Sequence, residues 1–255
     1  MVYDFVDDPV TTEEAGAAER YVHRELDRTV AAATADYDRF RTHQAIGEVR
    51  GLAQLLGRYR SDGPVHEPTF RRGLEVLLKL VAPVAPYLAE ECWNRLRAGG
   101  LVVEADWPTP DSDVSAYARE RTLVSTVQDD VRDIVETAGI EDPSSVELVV
   151  APEWKYAAYE VARAADDEAN VAEAIMSDDE IAGHEGAGEY AADLQSRSQA
   201  LEPRLDRATE TAVLGRAAWL LAEEFDVEVS VVDAADADPD LASRAAPGRP
   251  AIHID

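Results

Sequence analysis

Two prolines, three residues apart, interrupt the most apolar helical run in the chain. That run, residues 77–96, reads LLKLVAPVAPYLAEECWNRL and carries Pro83 and Pro86. Proline lacks a backbone N–H and its ring clashes with the preceding turn, so one continuous helix through both prolines is excluded. The sequence therefore predicts a corner between two packed helices, with Pro86 in the first turn of the second helix and Gly99 near its end.

The residues up to this corner predict three amphipathic helices. Apolar residues recur at spacings of three and four over residues 15–40, 46–56 and 70–81. Thr11 and Glu14 have the spacing of a capping box, which predicts that the first helix begins just after Thr11. Together with the helix after the corner, these elements predict a helical bundle.

A linker rich in Gly, Pro and Asp follows the bundle, and the periodicity changes beyond it. The segments SSVELVVA, VEVSVVDA and PAIHID are short β-rich runs, and helical segments lie between them. This alternation is typical of an α/β or α+β domain. We therefore predict a mainly α protein of two domains, a helical bundle over residues 1–110 and a small α/β domain over residues 111–255.

The composition favours a globular protein of a reducing compartment. The 255 residues include one cysteine, Cys92, which cannot form an intramolecular disulfide and which we expect to be buried in a helical core. The first residues, MVYDFVDDPVTTEEA, lack the features of a secretory signal, and no apolar window is long enough to span a bilayer. We therefore expect a cytoplasmic protein with no membrane partner.

Acidic residues outnumber basic residues by more than two to one. There are 52 acidic and 24 basic residues, a net charge of −28, and only two of the basic residues are lysines. Concentrated salt screens the repulsion between such charges over very short distances. The acidic excess and the scarcity of lysine therefore predict a protein of a halophile with an acidic proteome, whatever its partner is.

The acidic excess is unevenly distributed along the chain. Residues 1–100 carry a net charge of −3 and residues 101–255 carry −25, whereas residues 20–72 contain ten basic and seven acidic residues. A local cationic zone is typical of a surface for an anionic partner. The alternative is that these arginines form ion pairs along helix faces, as Glu25 and Arg28 can at positions i and i+3.

The sequence lacks the common catalytic and cofactor motifs. Neither lysine follows a glycine, as a phosphate-binding P-loop requires, and no serine has the Gly-x-Ser-x-Gly spacing. The five histidines form no His-Glu-x-x-His motif, and one cysteine cannot complete the common zinc ligand sets. We therefore expect no catalytic residue, no metal site and no cofactor in this chain.

The proline corner resembles a signature of one protein family. LLKLVAPVAPYLAEECWNRL is similar to the Ala-Pro-x-Ala-Pro corner in the anticodon-binding bundle of the large class I aminoacyl-tRNA synthetases for leucine, valine and isoleucine. The upstream TVAAATADYDRFRTHQAIGEVRGL and the downstream EADWPTPD resemble neighbouring segments of that bundle. The resemblance covers about residues 1–110 and implies that tRNA is the partner.

The second half of the chain resembles the carboxyl-terminal domain of archaeal-type leucyl-tRNA synthetases. VRDIVETAGIEDPSSVELVVAPEWKYAAYEVA and RAAPGRPAIHID are similar to segments of that domain. The resemblance favours leucine, and the valine or isoleucine bundle stays the alternative. It implies that the chain supports leucyl-tRNA aminoacylation, and so protein biosynthesis, by positioning tRNA(Leu), which has a long variable arm.

The motifs of the family's catalytic domain are absent from this sequence. The family binds ATP with a His-x-Gly-His motif and a Lys-Met-Ser-Lys-Ser loop, and neither occurs here. The resemblance therefore implies that ATP binds a catalytic domain outside this sequence and that the chain alone is inactive. We expect a part or a free-standing relic of a synthetase, working with a separate catalytic domain. A protein-interaction module that has lost RNA binding is the alternative.

Two sets of residues are candidates for tRNA contact, because arginine suits bidentate binding of phosphate. The polar stripe on the second helix and its neighbours comprise Arg41, His43, Arg50, Gln54 and Arg58. The family's carboxyl-terminal tail is implied to touch the tip of the variable arm, which selects Arg249, Ile254 and Asp255. The alternatives are that His43 only starts a helix and that Ile254 completes a sheet edge. For EWKY, residues 153–156, we expect a helix start rather than a stacking platform.

Overall fold

The computed structural model describes residues 10–61, 63–114, 117–165 and 170–255. The chain divides into two compact units, the first ending at Ala118 and the second beginning at Arg119. As the sequence predicts, the fold is mainly α, with a helical bundle in the first unit and a small α/β arrangement in the second. The domain boundary after residue 110 stays a prediction.

The first unit contains the four predicted helices. They are α1 (Ala17–Asp38), α2 (Thr42–Ser61), α3 (Glu67–Val81) and α4 (Pro86–Arg95). Helix α1 packs against α2 and α3, and α3 also packs against α2 and α4. Two short parallel strands, β1 (Thr11–Thr12) and β2 (Val65–His66), join the segment before α1 to the connection between α2 and α3.

The proline corner lies where the sequence places it. Helix α3 ends at Val81, and α4 begins at Pro86. Pro86 costs α4 no internal hydrogen bond, because the first N–H groups of a helix have no partner within it. The corner lets α4 pack back on α3, where Leu78 and Cys92 share one apolar cluster. Cys92 is fully buried, as predicted, and burial raises the pKa of its thiol.

The start of α1 differs from the prediction. The capping box predicted at Thr11 and Glu14 is wrong, because Thr11 lies in β1. Helix α1 begins at Ala17 instead, and the Glu19 carboxylate accepts the backbone N–H of Gly16. The same spacing of three residues therefore occurs five residues later, between Gly16 and Glu19. The N-cap residue is a glycine, which has no side chain to return the hydrogen bond.

Acidic side chains on α1 are buried, and hydrogen-bond donors from other segments reach them. Glu19 accepts a hydrogen bond from the hydroxyl of Tyr59 in α2. Glu25 accepts one from the hydroxyl of Tyr117 at 2.8 Å and pairs with Arg28 at 3.0 Å. Both carboxylates are less than a tenth exposed, so these donors offset the cost of removing the charges from water.

Asp27 ties the end of the linker to α1. Its two carboxylate oxygens accept the N–H groups of Asp111 and Ser112, both at 3.1 Å, and the Ser112 hydroxyl at 2.6 Å. Arg72 on α3 bridges the carboxylates of Asp27 and Asp111. Removing one partner of such a buried charge costs about 3–5 kcal/mol, so this cluster holds the segment on the bundle.

The second unit is built on a three-stranded sheet. Its strands are β3 (Ser145–Val150), β4 (Glu228–Asp233) and β5 (Ala251–Ile254), in the spatial order β4, β3, β5. Strand β3 pairs in parallel with β4 and antiparallel with β5, so Leu148 lies opposite both Val231 and Ile252. The three strands coincide with the three predicted β-rich runs.

Helices surround this sheet and also form a separate cluster. They are α5 (Tyr117–Ala138), α6 (Glu153–Ala164), α7 (Val171–Met176), α8 (Asp179–Ala182), α9 (Ala187–Ser196), α10 (Arg207–Phe225) and α11 (Pro239–Arg244). Helix α10 packs on β3 and β4, whereas α6 to α9 share a core around Ile175, Ile181 and Leu194. The sequence did not predict α11, a six-residue helix capped by Asp238.

Candidate nucleic-acid interface

The predicted polar stripe lies along one side of α2. His43, Arg50 and Gln54 are exposed, and Arg58 is half-buried. The opposite side of the helix enters the core of the bundle through Ala45, Val49, Leu52 and Leu56. Arg50 forms no ion pair with any residue that the structure describes, so its guanidinium is available to an anionic ligand. His43 is the second residue of α2, a position that fits the alternative of a simple helix-start residue.

Arg41 closes the turn between α1 and α2. Its Nη2 atom lies 2.8 Å from Oδ1 of Asp36, and its backbone N–H donates to the Asp36 carbonyl, also at 2.8 Å. The Arg41 side chain is still 42% exposed. The guanidinium is therefore oriented by the turn, with part of its charge already balanced by the carboxylate.

Two aromatic side chains near this turn are almost fully exposed. Phe40 is 92% exposed, and the prediction that it continues the apolar face of α1 is wrong because α1 ends at Asp38 and Phe40 has a left-handed φ of 55°. Tyr87, in the first turn of α4, is 91% exposed. The Tyr37 hydroxyl donates to the Leu80 carbonyl at 2.9 Å, so the ends of α1 and α3 meet, and both aromatics belong to this end of the bundle.

We call Arg39, Phe40, Arg41 and Tyr87 the bundle-end surface. Arg39 is exposed like the two aromatic residues, so exposed rings and guanidinium groups both belong to this end of the bundle. Exposed aromatic rings stack on unpaired bases, which contributes about 1–3 kcal/mol per base. Sequence reasoning missed this surface, although the tripeptide Arg-Phe-Arg just after a helical repeat is a signal that could have indicated it.

Much of the basic zone over residues 20–72 is used inside the bundle. Arg28 lies 3.0 Å from Glu25 and 2.7 Å from Glu48, and these carboxylates outweigh burial and raise the pKa of its guanidinium. Arg72 pairs with two carboxylates, and Arg24 lies over an aromatic ring, 5.2 Å from its centroid. The alternative of helix-face pairing is therefore correct for Arg28, whereas Arg72 pairs with carboxylates of other segments.

The carboxyl-terminal candidate Arg249 is held by an acidic residue of α5. Its Nε and Nη2 atoms lie 3.1 Å and 3.0 Å from the two carboxylate oxygens of Asp130. This hydrogen-bonded pairing raises the pKa of the Arg249 guanidinium. The side chain remains 69% exposed, so one edge of the group faces solvent.

Ile254 and Asp255 lie at the edge of the sheet. Ile254 is half-buried and pairs with Val146 across β5 and β3, which fits the alternative that it completes the sheet. The Asp255 carbonyl accepts the N–H of Ser144 at 2.6 Å, and its own N–H donates to Ser145 at 3.1 Å. The roles of Arg249, Ile254 and Asp255 in RNA contact stay predictions.

Residues 153–156 begin α6 and pack inward. Lys155 is 5% exposed, and its ammonium donates to the carbonyls of Ser243 and Ala245 at 2.6 Å and 2.7 Å. Burial lowers the pKa of this lysine. The prediction of a helix start is confirmed, and a stacking platform for bases is ruled out because its cation is buried.

A buried carboxylate holds the turn that precedes β5. Glu210 in α10 is fully buried, and its Oε2 atom accepts the N–H of Gly248 at 2.7 Å. Gly248 has a φ of 76°, as the third residue of a type II turn requires, and the carbonyls and N–H groups of Ala246 and Arg249 pair across the turn. Burial raises the pKa of Glu210 to about 7.

Two kinds of site are absent from the described residues. No three His, Cys, Asp or Glu side chains within these ranges come together as a group that could hold a metal ion. No helix in the same part of the chain is both long and apolar enough to cross a membrane.

A protein-family model matches more than half of the chain. The model is described as the anticodon-binding domain of tRNA ligase, and it matches residues 19–150. The matched segment runs from the first turn of α1 to the end of β3 and contains both the polar stripe and the bundle-end surface. It therefore reaches beyond the four helices into the second unit.

Leucine–tRNA ligases are similar to the chain over most of its length. One from Halobacterium salinarum is 46% identical over 239 residues, which are 93% of this chain and 27% of the relative. One from Aeropyrum pernix is 32% identical over 246 residues, which are 93% of this chain and 25% of the relative. One from Pyrococcus abyssi is 25% identical over 250 residues, which are 95% of this chain and 26% of the relative. The chain thus spans about a quarter of the length of the curated relatives that it matches.

We expect Glu210 to make the second unit less stable as the pH rises. Its pKa is about 7 in the folded chain against an ordinary value of 4.5, so the folded state holds the proton more tightly than the unfolded state. The stabilisation is complete below the lower value and is lost as the pH passes the higher one. The difference corresponds to about 3 kcal/mol.

Urea unfolding between about pH 5 and about pH 8 at constant KCl measures this effect. Glu210→Gln removes the titration and keeps an acceptor for the Gly248 N–H, so its stability should gain about 3 kcal/mol on the wild type over that range. Glu185→Gln, at an exposed position, is the control and should follow the wild type. Parallel curves for all three proteins would show that Glu210 does not titrate there.

Proposed function

The chain belongs to the family of anticodon-binding domains of tRNA ligases, and we propose that it is the tRNA-binding, carboxyl-terminal portion of a leucine–tRNA ligase. The family match over residues 19–150 carries this proposal, because it covers the helices that present the polar stripe and the bundle-end surface. The similarity to leucine–tRNA ligases continues through the second unit, which supports leucine rather than valine or isoleucine.

The role that we propose is to position tRNA(Leu) for aminoacylation in the cytoplasm. The leucyl-transfer chemistry and the binding of ATP belong to a catalytic domain outside these 255 residues, because the sequence lacks the family's ATP-binding motifs. The chain by itself is then inactive in leucine activation, and its contribution is to bind and orient the RNA. No cofactor of its own is needed for this task.

Contacts of short range carry the binding that we propose. Long-range attraction is weak because the chain has a net charge of −28 and phosphate contacts weaken steeply with salt. Arg50 and Gln54 are free to donate to phosphate and 2′-hydroxyl groups, and Phe40 is free to stack on an unpaired base. In the second unit, the exposed edge of Arg249 and the end of β5 are the candidates for the long variable arm.

The acidic surface supports a halophilic setting. Unit 2 alone carries 32 acidic against 11 basic residues, and the relative that is 46% identical comes from Halobacterium salinarum. The Debye length increases from about 3 Å at 1 M salt to about 10 Å at 0.1 M. Carboxylates therefore repel one another over longer distances when salt is removed. We therefore propose that concentrated salt is the working solvent of this protein.

The variable arm tests the choice of tRNA. We expect the chain to bind tRNA(Leu) at least about tenfold more tightly than the same tRNA with a short variable arm, a difference of about 1.4 kcal/mol. Filter binding or gel shift in molar KCl measures both affinities. Equal affinity for the two RNAs would contradict the leucine-specific role, while binding of neither would contradict tRNA binding as a whole.

The polar stripe is tested by substitution on α2. Arg50→Gln combined with Gln54→Ala should weaken tRNA(Leu) binding by about tenfold, because at least one charge-assisted hydrogen bond of about 1.5–3 kcal/mol is lost. Arg20→Gln is the control, since it removes one positive charge from an exposed position on α1. A double variant that binds as tightly as this control would exclude the stripe from the interface.

Salt dependence of folding tests the halophilic setting. We expect the helical circular dichroism signal to decrease as KCl is lowered from about 2 M to about 0.1 M, because the carboxylates then repel one another over longer distances. Sucrose at low ionic strength is the control, since it favours burial without screening charge. A complete helical signal in dilute buffer without sucrose would refute the adaptation.

A further inference from the structure

A small cleft in the second unit lies between α5 and the segment just before α10. Its volume is about 70 Å³, which suits a single small group rather than a whole nucleotide. Leu123 and Leu205 give it an apolar part, and Thr126 is half-buried at its side. The exposed side chains of Arg119 and Arg204 both line it, one from each segment.

Most arginines of this unit already have carboxylate partners. The paired ones are Arg132, Arg163, Arg197, Arg207, Arg216 and Arg249. Arg119 and Arg204 form no ion pair with any described residue, although acidic residues outnumber basic ones about threefold in this unit. In such surroundings, two guanidinium groups without ion pairs on one cleft form a site that favours binding of an anion.

The position of Arg204 is prepared by the turn before β5. A Cβ atom at Gly248 would lie 2.9 Å from Cδ of Arg204, so the absence of a side chain lets Arg204 lie against the turn. The buried carboxylate of Glu210 holds this turn by accepting the Gly248 N–H at 2.7 Å. The positive charge of Arg204 also acts to lower the pKa of Glu210, an effect that burial of the carboxylate outweighs.

We propose that this cleft binds one phosphate group of the RNA backbone, with Arg119 and Arg204 as the two cationic ligands and the Thr126 hydroxyl as a further donor. The inference rests on the proposed function and extends it to a third contact point, in addition to the polar stripe and the tail. Guanidinium groups bind phosphate through paired, short hydrogen bonds, which keep their directionality in concentrated salt. Glu202 also lines the cleft, and its exposed carboxylate can turn to solvent when an anion binds.

A pair of matched double variants tests this site. Arg119→Gln with Arg204→Gln removes both ligands, while Arg121→Gln with Arg244→Gln removes two exposed, unpaired arginines of the same unit that do not line the cleft. Both variants change the net charge equally, so general electrostatics cancels. Circular dichroism in molar KCl confirms that each variant is folded before affinity for tRNA(Leu) is measured over a range of KCl concentrations.

We expect the cleft variant to bind about tenfold more weakly than the control variant, with a slope of log affinity against log salt that is shallower by about 0.7–0.9, as for one lost phosphate contact. Ethylation interference should identify one phosphate whose modification weakens the wild type and leaves the cleft variant unaffected. If the wild type binds tRNA(Leu) and the two double variants lose affinity equally, the cleft is not a phosphate site, and the proposed function stands. If the wild type binds no tRNA, the proposed function and the cleft fail together.

Inorganic phosphate is the remaining arm of the test. Titration of the free wild-type chain with phosphate, followed through the ¹⁵N resonances of the arginine side chains, should give at most weak and unsaturated shifts for Arg119 and Arg204. Saturation at submillimolar phosphate would assign the cleft to a free anion and overturn its assignment to RNA. The cleft variant is the control for the identity of the resonances.

Discussion

Burying carboxylates in a chain that is already crowded with them is the constraint on which this structure depends. Glu25, Asp27 and Glu210 are all nearly or fully buried, and a buried carboxylate without partners would cost several kcal/mol. Hydrogen-bond donors reach each of them: a tyrosine hydroxyl and an arginine for Glu25, two backbone N–H groups and a serine for Asp27, and a glycine N–H for one oxygen of Glu210. Burial still raises the pKa of Glu210 to about 7. Apart from the Glu25–Arg28 pair within α1, these bonds join segments far apart in the chain.

The same constraint decides which cations remain for a ligand. Arginines close to a buried or half-buried carboxylate, such as Arg28 and Arg72, are used to hold the bundle together. Arg50 on the stripe of α2 and the two arginines at the cleft of the second unit form no ion pair with any described residue. An acidic protein can therefore keep cations available for an anionic ligand with few basic residues, provided that its other cations are used in internal pairs.

Much of the architecture follows from local rules, and the exceptions have identifiable causes. The proline corner was predictable because the missing N–H and the ring of proline act within one helical turn. The strands β3, β4 and β5 were predictable from short runs rich in β-branched residues. The first helix start was misplaced because Thr11 pairs with a strand more than 50 residues away. Phe40 was placed in the core because periodicity alone does not show that the helix has already ended.

The sequence by itself determined the helices, the corner between α3 and α4, the three strands and the position of the polar stripe, since each depends on residues within a few turns of one another. It could not determine which of those polar groups are free. Arg72 meets Asp27 across 45 residues, and Arg249 meets Asp130 across 119, so only the folded chain brings these charges together. Charge pairing depends on distance in space, and the tertiary structure therefore decided which cations hold the fold and which can bind a ligand.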